Sequence, residues 1–183
     1  MKHRGGNQKI IKDFFQRLSA ICEAVGLSCA CILREKKNKW PTLFEQDKQL
    51  FVQVAPQKNL TFVLAQEESV VLSEQLKNAD VIYLRGGSTP ALKAVLGMVE
   101  NLVDLLKDKI VVGSSAGAYV LSKYYYTHER DCIDEGLDVL PVKTMCHYVE
   151  DRADKLRDLK EFAEGLPVYA IPEEKFVVLE KKE

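Results

Sequence analysis

Apolar and polar positions along the chain switch repeatedly between two periods. Residues 8–24 place Ile10, Ile11, Phe14, Phe15, Leu18 and Ile21 at helical spacing, and Gly26 follows where a glycine often ends a helix. Residues 27–33 (LSCACIL) are a short continuous apolar run, the pattern of a strand buried on both faces of a parallel sheet. The basic stretch 34–39 predicts an exposed loop. A helix over 41–54 turns Leu43, Phe44, Leu50 and Phe51 inward, a strand covers 60–65 (LTFVLA), and a short helix covers 69–78. A third strand, 81–84 (VIYL), runs straight into Arg85-Gly86-Gly87-Ser88-Thr89. The pattern then predicts a helix over 90–106, with Pro90 in the first turn, where a missing N–H leaves no bond unmade. A fourth strand, 109–112 (KIVV), enters Gly113-Ser114-Ser115-Ala116-Gly117-Ala118. A region of mixed pattern extends to residue 140. After it come an apolar run over 142–146, a helix over about 150–164, and short strands over 168–171 and 176–179.

Strands that alternate with helices imply βαβ units and an α/β fold with a mostly parallel sheet covered by helices on both faces. In such sheets reactive groups gather beyond the carboxyl ends of the strands. The two glycine-rich turns, after VIYL and after KIVV, are therefore the places where chemistry is expected.

Composition narrows the function classes. The 183 residues are 46% hydrophobic, enough for one folded domain and too apolar for a disordered chain. With 26 basic against 27 acidic residues there is no electrostatic footprint for nucleic acid. No apolar run reaches the ~18 residues of a membrane helix and no signal peptide opens the chain, so neither a membrane nor a nucleic-acid partner is expected. The five cysteines (Cys22, Cys29, Cys31, Cys132 and Cys146) are odd in number and contain no CxxC pair. That pattern suits free thiols in a reducing cytoplasm better than disulfides or a zinc ribbon. No cluster of ligand-type residues has metal-site spacing, and neither a metal nor an organic cofactor is expected.

The second glycine turn carries the sharper signal. Gly113-Ser114-Ser115-Ala116-Gly117 fits G-x-S-x-G between a strand and a helix, the context a nucleophile elbow requires. The chain must reverse sharply there, which exposes the serine hydroxyl, and small neighbours let other backbone come close. A serine hydroxyl needs a base. Three histidines exhaust the choice: His3 near the N-terminus, His128 in a polar stretch, and His147 at the end of the 142–146 run. His147 falls at the same sheet edge as the elbow and is the preferred base, with His128 second. An acid should orient the imidazole. Asp131 lies between serine and histidine in the chain, with Glu129, Asp134 and Glu135 as close rivals. The first turn, Gly86-Gly87-Ser88-Thr89, opens a helix and offers backbone N–H groups to an oxyanion, but matches no phosphate loop.

Arg85-Gly86-Gly87-Ser88-Thr89, the elbow through Ala118, and Cys146-His147-Tyr148, in that order, resemble the peptidase E family. These are serine peptidases of the S51 type, related to cyanophycinases and to the class I glutamine amidotransferase-like fold. Ile171-Pro172-Glu173-Glu174 looks like the closing strand-and-turn segment of that family, and His3-Arg4-Gly5-Gly6 weakly resembles its first glycine turn. The resemblance implies one peptidase E-like domain over 1–183 with its first strand abbreviated or missing, folded as a flavodoxin-like three-layer sandwich. It implies Ser115 as nucleophile, His147 as base and Asp131 as the best match to the acid. It also implies oxyanion donors on Gly87 and Ala116, with Gly86, Ser88 and Arg157 on the substrate side. The implied activity is hydrolysis of small peptides, aspartyl dipeptides among them, and the sequence allows a homodimer. Two other readings keep the fold: a catalytically degenerate binding or regulatory module, and an amidotransferase-like enzyme using the Cys146 thiol.

Overall fold

The computed structural model describes residues 29–33, 39–54 and 60–180; the predicted helix over 8–24, most of the basic loop, and His3 lie outside them. The element order is β1 (Cys29–Leu33), α1 (Trp40–Val54), β2 (Thr61–Leu64), α2 (Ser69–Asn78), β3 (Val81–Leu84), α3 (Thr89–Gly97), α4 (Leu102–Leu106) and β4 (Ile110–Gly113). It continues with α5 (Ala116–Leu121), β5 (Ser122–Thr127), β6 (Cys132–Glu135), β7 (Leu140–Cys146), a 3-10 turn (Glu150–Arg152), α6 (Ala153–Glu161) and β8 (Val168–Ile171).

The chain is α/β with parallel strands, as the alternation predicted, but the strands divide into two four-stranded sheets rather than one. The first, in the order β2-β1-β3-β4, is parallel throughout. The second, β6-β5-β7-β8, pairs β6 antiparallel to β5 and keeps β5, β7 and β8 parallel. The division follows from the chain after β4. A parallel return into the same sheet needs a crossover of about a dozen residues or more. Here the crossover is the six-residue α5, whose C-cap Ser122 is already the first residue of β5.

Local sequence accounts for most of the elements. The apolar run VIYL becomes β3, paired on both edges and buried at all four positions. Helix α2 buries Leu72 and Leu76, one turn apart, and α3 buries Leu92 and Leu96 in the same way. Ser88 caps α3 by accepting a hydrogen bond from the Ala91 N–H at 3.3 Å, with Pro90 at the helix start. The single helix predicted over 90–106 is two helices, because α3 ends at Gly97 and Asn101 takes a left-handed conformation (φ 54°) before α4. The helix predicted over 150–164 begins as a 3-10 turn and ends at Glu161. The mixed region holds β5 and β6. Residues 176–179, predicted as a strand, are not part of a strand among the described residues, and Val177, Val178 and Leu179 are exposed.

The described residues form several apolar clusters, among them a small one of Tyr119, Tyr125 and Cys146 between the sheets. One, beneath α2, α3 and α4, joins Leu72, Leu76, Ile82, Leu84, Leu92 and Leu96 to Val120 and Leu121 of α5. Another packs Leu159 of α6 on Tyr126 of β5 and Met145 of β7. Helix α5 packs against both sheets, and its approach to the first is very close. A Cβ on Gly117 would stand 2.1 Å from the Leu84 carbonyl oxygen, so only glycine fits there. Among the described residues no helix is long and apolar enough to cross a membrane.

Candidate active site

Ser115 occupies the turn between β4 and α5 with φ 50° and ψ −109°, a conformation that a residue with a side chain adopts only under strain. The surrounding backbone enforces it. The Ser114 N–H donates to the Leu84 carbonyl (2.9 Å), the Gly117 N–H to the Ser114 carbonyl (2.9 Å), and the Tyr119 N–H to the Ser115 carbonyl (3.0 Å). Gly86 passes directly alongside, where an added Cβ would lie 3.2 Å from the Ser115 Cβ. The first glycine turn thus comes within contact distance of the serine because neither Gly86 nor Gly117 carries a side chain.

His147 follows β7 and also has a positive φ, 58°. Its Nε2 lies 2.9 Å from Ser115 Oγ. Its Nδ1 is hydrogen-bonded to the Glu173 carboxylate. An ionised carboxylate only accepts, so Nδ1 is the donor to Glu173, and in the neutral imidazole that arrangement leaves the Nε2 lone pair facing the serine hydroxyl. Register explains the encounter. β8 runs parallel to β7 with Cys146 opposite Ile171, and the Tyr148 N–H bonds the Ile171 carbonyl at 3.1 Å. Both strands therefore end at one edge, and the residues just beyond them, His147 and Glu173, meet.

Asp131, expected as the orienting acid, does not reach the imidazole. It accepts a hydrogen bond from the Tyr126 hydroxyl and pairs with Lys155 Nζ at 3.2 Å. The Tyr126 bond, and then Lys155, hold its carboxyl below the usual carboxylate range. The rivals lie elsewhere too. Asp134 engages Arg130 and the Tyr125 hydroxyl, Glu135 offers its carbonyl to Lys93, and Glu129 is exposed in the β5–β6 turn. Sequence reasoning misses Glu173, although it singles out the segment that carries it. The signal that could have found it is the parallel pairing of β7 with β8.

The remaining predicted residues fall as follows. Gly87 continues the turn beside Ser115, and Ala116 is the first residue of α5. The Ser88 hydroxyl is engaged in capping α3. Arg157 is exposed on α6, its nearest acidic partner Asp158 at 4.0 Å. His128, the second choice of base, stands beside His147 rather than beside the serine, the two rings 5.4 Å apart and nearly perpendicular. The Cys146 thiol is buried at the end of β7, and burial, partly offset by its Tyr119 contact, pushes it up to about 12. It stays protonated at neutral pH, so it supplies no thiolate nucleophile. No group of three or more potential metal ligands occurs among the described residues.

The model of Peptidase family S51 matches residues 39–183 of this chain. No curated protein matches the sequence. Two solved structures are similar in fold. One is a candidate peptidase E protein from Listeria monocytogenes EGD-e, 20% identical, with a TM-score of 0.55 over 80% of this chain and 78% of its own. The other is a peptidase from an acI-B1 actinobacterium, 22% identical, with a TM-score of 0.58 over 89% of this chain and 75% of its own.

Proposed function

The chain belongs to peptidase family S51, and from that premise we propose that it is a serine peptidase that hydrolyses small peptides through Ser115, His147 and Glu173. The observation that carries this reading is the continuous hydrogen-bonded line from Ser115 Oγ through both nitrogens of His147 to the Glu173 carboxylate. Ser115 Oγ attacks the scissile carbonyl while His147 Nε2 accepts its proton. Glu173 holds the Nδ1–H tautomer and stabilises the imidazolium that forms. The N–H groups of Gly87 and Ala116 receive the oxyanion, and the strained turn at Ser115 directs the hydroxyl toward His147. His147 returns its proton to the leaving amine, and water activated by the same imidazole releases the acyl group from Ser115. These side chains and water complete every step, so the mechanism calls for no cofactor.

The substrate backbone lies against the turn Gly86-Gly87-Ser88, and short peptides, aspartyl dipeptides among them, are the substrate class. A binding module with a degenerate site has no need of a serine within 2.9 Å of a histidine that is itself held by a carboxylate. The test is covalent. A fluorophosphonate probe labels the native protein at one site, and the Ser115→Ala variant remains unlabelled. Equal labelling of the two would remove Ser115 from the mechanism. A dipeptide panel with aspartyl and other N-terminal residues then reads the preference.

A further inference from the structure

His128 and Asp131 lie close to the site and have no part in the line of three residues from serine to glutamate. They are the two ends of one turn. Residues 128–131 join β5 to β6, closed at the base by the pair Thr127 and Cys132. Asp131, at φ 47°, ties the turn down twice, through the Tyr126 hydroxyl of β5 and through Lys155 of α6. The opposite end of the turn carries His128, whose ring meets that of His147 at 5.4 Å with an interplanar angle of 85°.

The two bonds to His147 explain why such a contact matters. Ser115 and Glu173 hold the imidazole at its two nitrogens, roughly along a single line. In-plane bonds at both ends leave the ring free to tilt about that line, and His147 stands at the open end of β7, about a third exposed. A second ring set perpendicular to the first resists that tilt. We propose that His128 is a positioning residue for His147, and that Asp131 acts through it by pinning the turn that carries it. This rests on the reading of Ser115 and His147 as nucleophile and base. The turn leaves His128 exposed on its outer side, and partial desolvation against the site, followed by the charges of Arg152 and His147, shifts its pKa below the ordinary histidine value.

The test compares His128→Ala, His128→Phe, Asp131→Ala and the double variant His128→Ala/Asp131→Ala, with kcat and KM measured on a cleaved dipeptide. His128→Ala lowers kcat about tenfold and leaves KM within about twofold, as expected when a reacting group is misplaced while substrate binding is intact. His128→Phe, which restores a flat ring, recovers most of that loss. Asp131→Ala costs about three- to fivefold alone and nothing further in the His128→Ala background, because both act through one contact. A native kcat in His128→Ala, no recovery with phenylalanine, or losses that multiply in the double variant would each overturn the proposal. Histidine side-chain nitrogen NMR gives a readout that does not depend on turnover. The His147 signals shift and broaden in His128→Ala and in Asp131→Ala and return in His128→Phe; unchanged signals overturn the proposal as well. If Ser115→Ala labels like the native protein, the assignment of the nucleophile fails, and the NMR comparison alone decides whether His128 holds His147.

Discussion

In the proposed mechanism a carboxylate bonded to Nδ1 decides which nitrogen of His147 takes the serine proton, and Glu173 makes that bond from an exposed position. A carboxylate with one side in water contributes modest charge stabilisation, so orientation is the larger part of its effect. Glu173→Gln should therefore lower kcat by about a hundredfold, less than the ~10⁴ known for a buried triad acid, while Asp131→Asn falls only a few-fold. Steady-state kinetics on one dipeptide make the comparison, and a native kcat in Glu173→Gln would remove the glutamate from the mechanism. The Ser115–His147 contact could be anticipated from the sequence because the chemistry restricts the residue types so tightly: one G-x-S-x-G, three histidines, one of them at a strand end. The carboxylate beside His147 could not, because such a constellation is defined by geometry and has no fixed chain order. A search confined to the stretch between serine and histidine selects Asp131, whereas the partner arrives 26 residues after His147, just beyond a neighbouring strand.

The contact between α5 and β3 is the hinge of the architecture at the level of elements. Gly117 lets the helix backbone touch the Leu84 carbonyl, and the same approach brings Gly86 alongside Ser115. In Gly117→Ala the new methyl would sit 2.1 Å from that oxygen, so helix and strand must separate. We expect a loss of about 2–4 kcal/mol in stability by urea denaturation, with labelling of Ser115 slowed in the fraction that still folds. An unchanged urea midpoint would mean that α5 shifts freely and does not fix the site. Buried runs such as VIYL and helices with regular apolar spacing were legible because burial on two faces or on one stripe leaves a distinct period. The second sheet was harder to read. Strand β7 contains Lys143, wholly buried, whose ammonium group serves the carbonyls of Lys160 and Phe162 at the end of α6. A lysine in that role interrupts an apolar pattern without leaving the core. Residues 176–179 show the converse, an apolar run that forms no strand among the described residues, which periodicity alone cannot detect.

Across the whole molecule, the site lies where the two sheets meet: the first sheet supplies Ser115 through β4, and the second supplies His147 and Glu173 through β7 and β8. With 26 basic and 27 acidic residues the net charge is close to zero, and the contacts buried at the joint hold the two sheets together. There Tyr119 of α5 stacks on Tyr125 of β5, with centroids 4.7 Å apart, and donates a hydrogen bond to the Cys146 carbonyl at 3.3 Å. Burial pushes the Cys146 thiol from 9.0 up to about 12, Tyr125 from 10.0 up to about 12, and Tyr119 well above the ordinary phenol range. Each raised value means that the unfolded chain releases its proton first. Above pH 9 the unfolded state therefore binds fewer protons than the native one, and stability falls as pH rises. Each group approaches about 1.4 kcal/mol per pH unit once its unfolded form is ionised and its folded form is not. Below pH 8 all these groups are protonated in both states and contribute no slope. Urea midpoints measured from pH 7 to pH 11 should hold steady with respect to these groups until about pH 9 and then decline, first through Cys146 and then through the phenols. Cys146→Ala should delay the onset by about one pH unit, because the remaining groups ionise from about pH 10 in the unfolded chain. Superimposable pH profiles for the native protein and Cys146→Ala would show that the thiol is not held protonated at the joint.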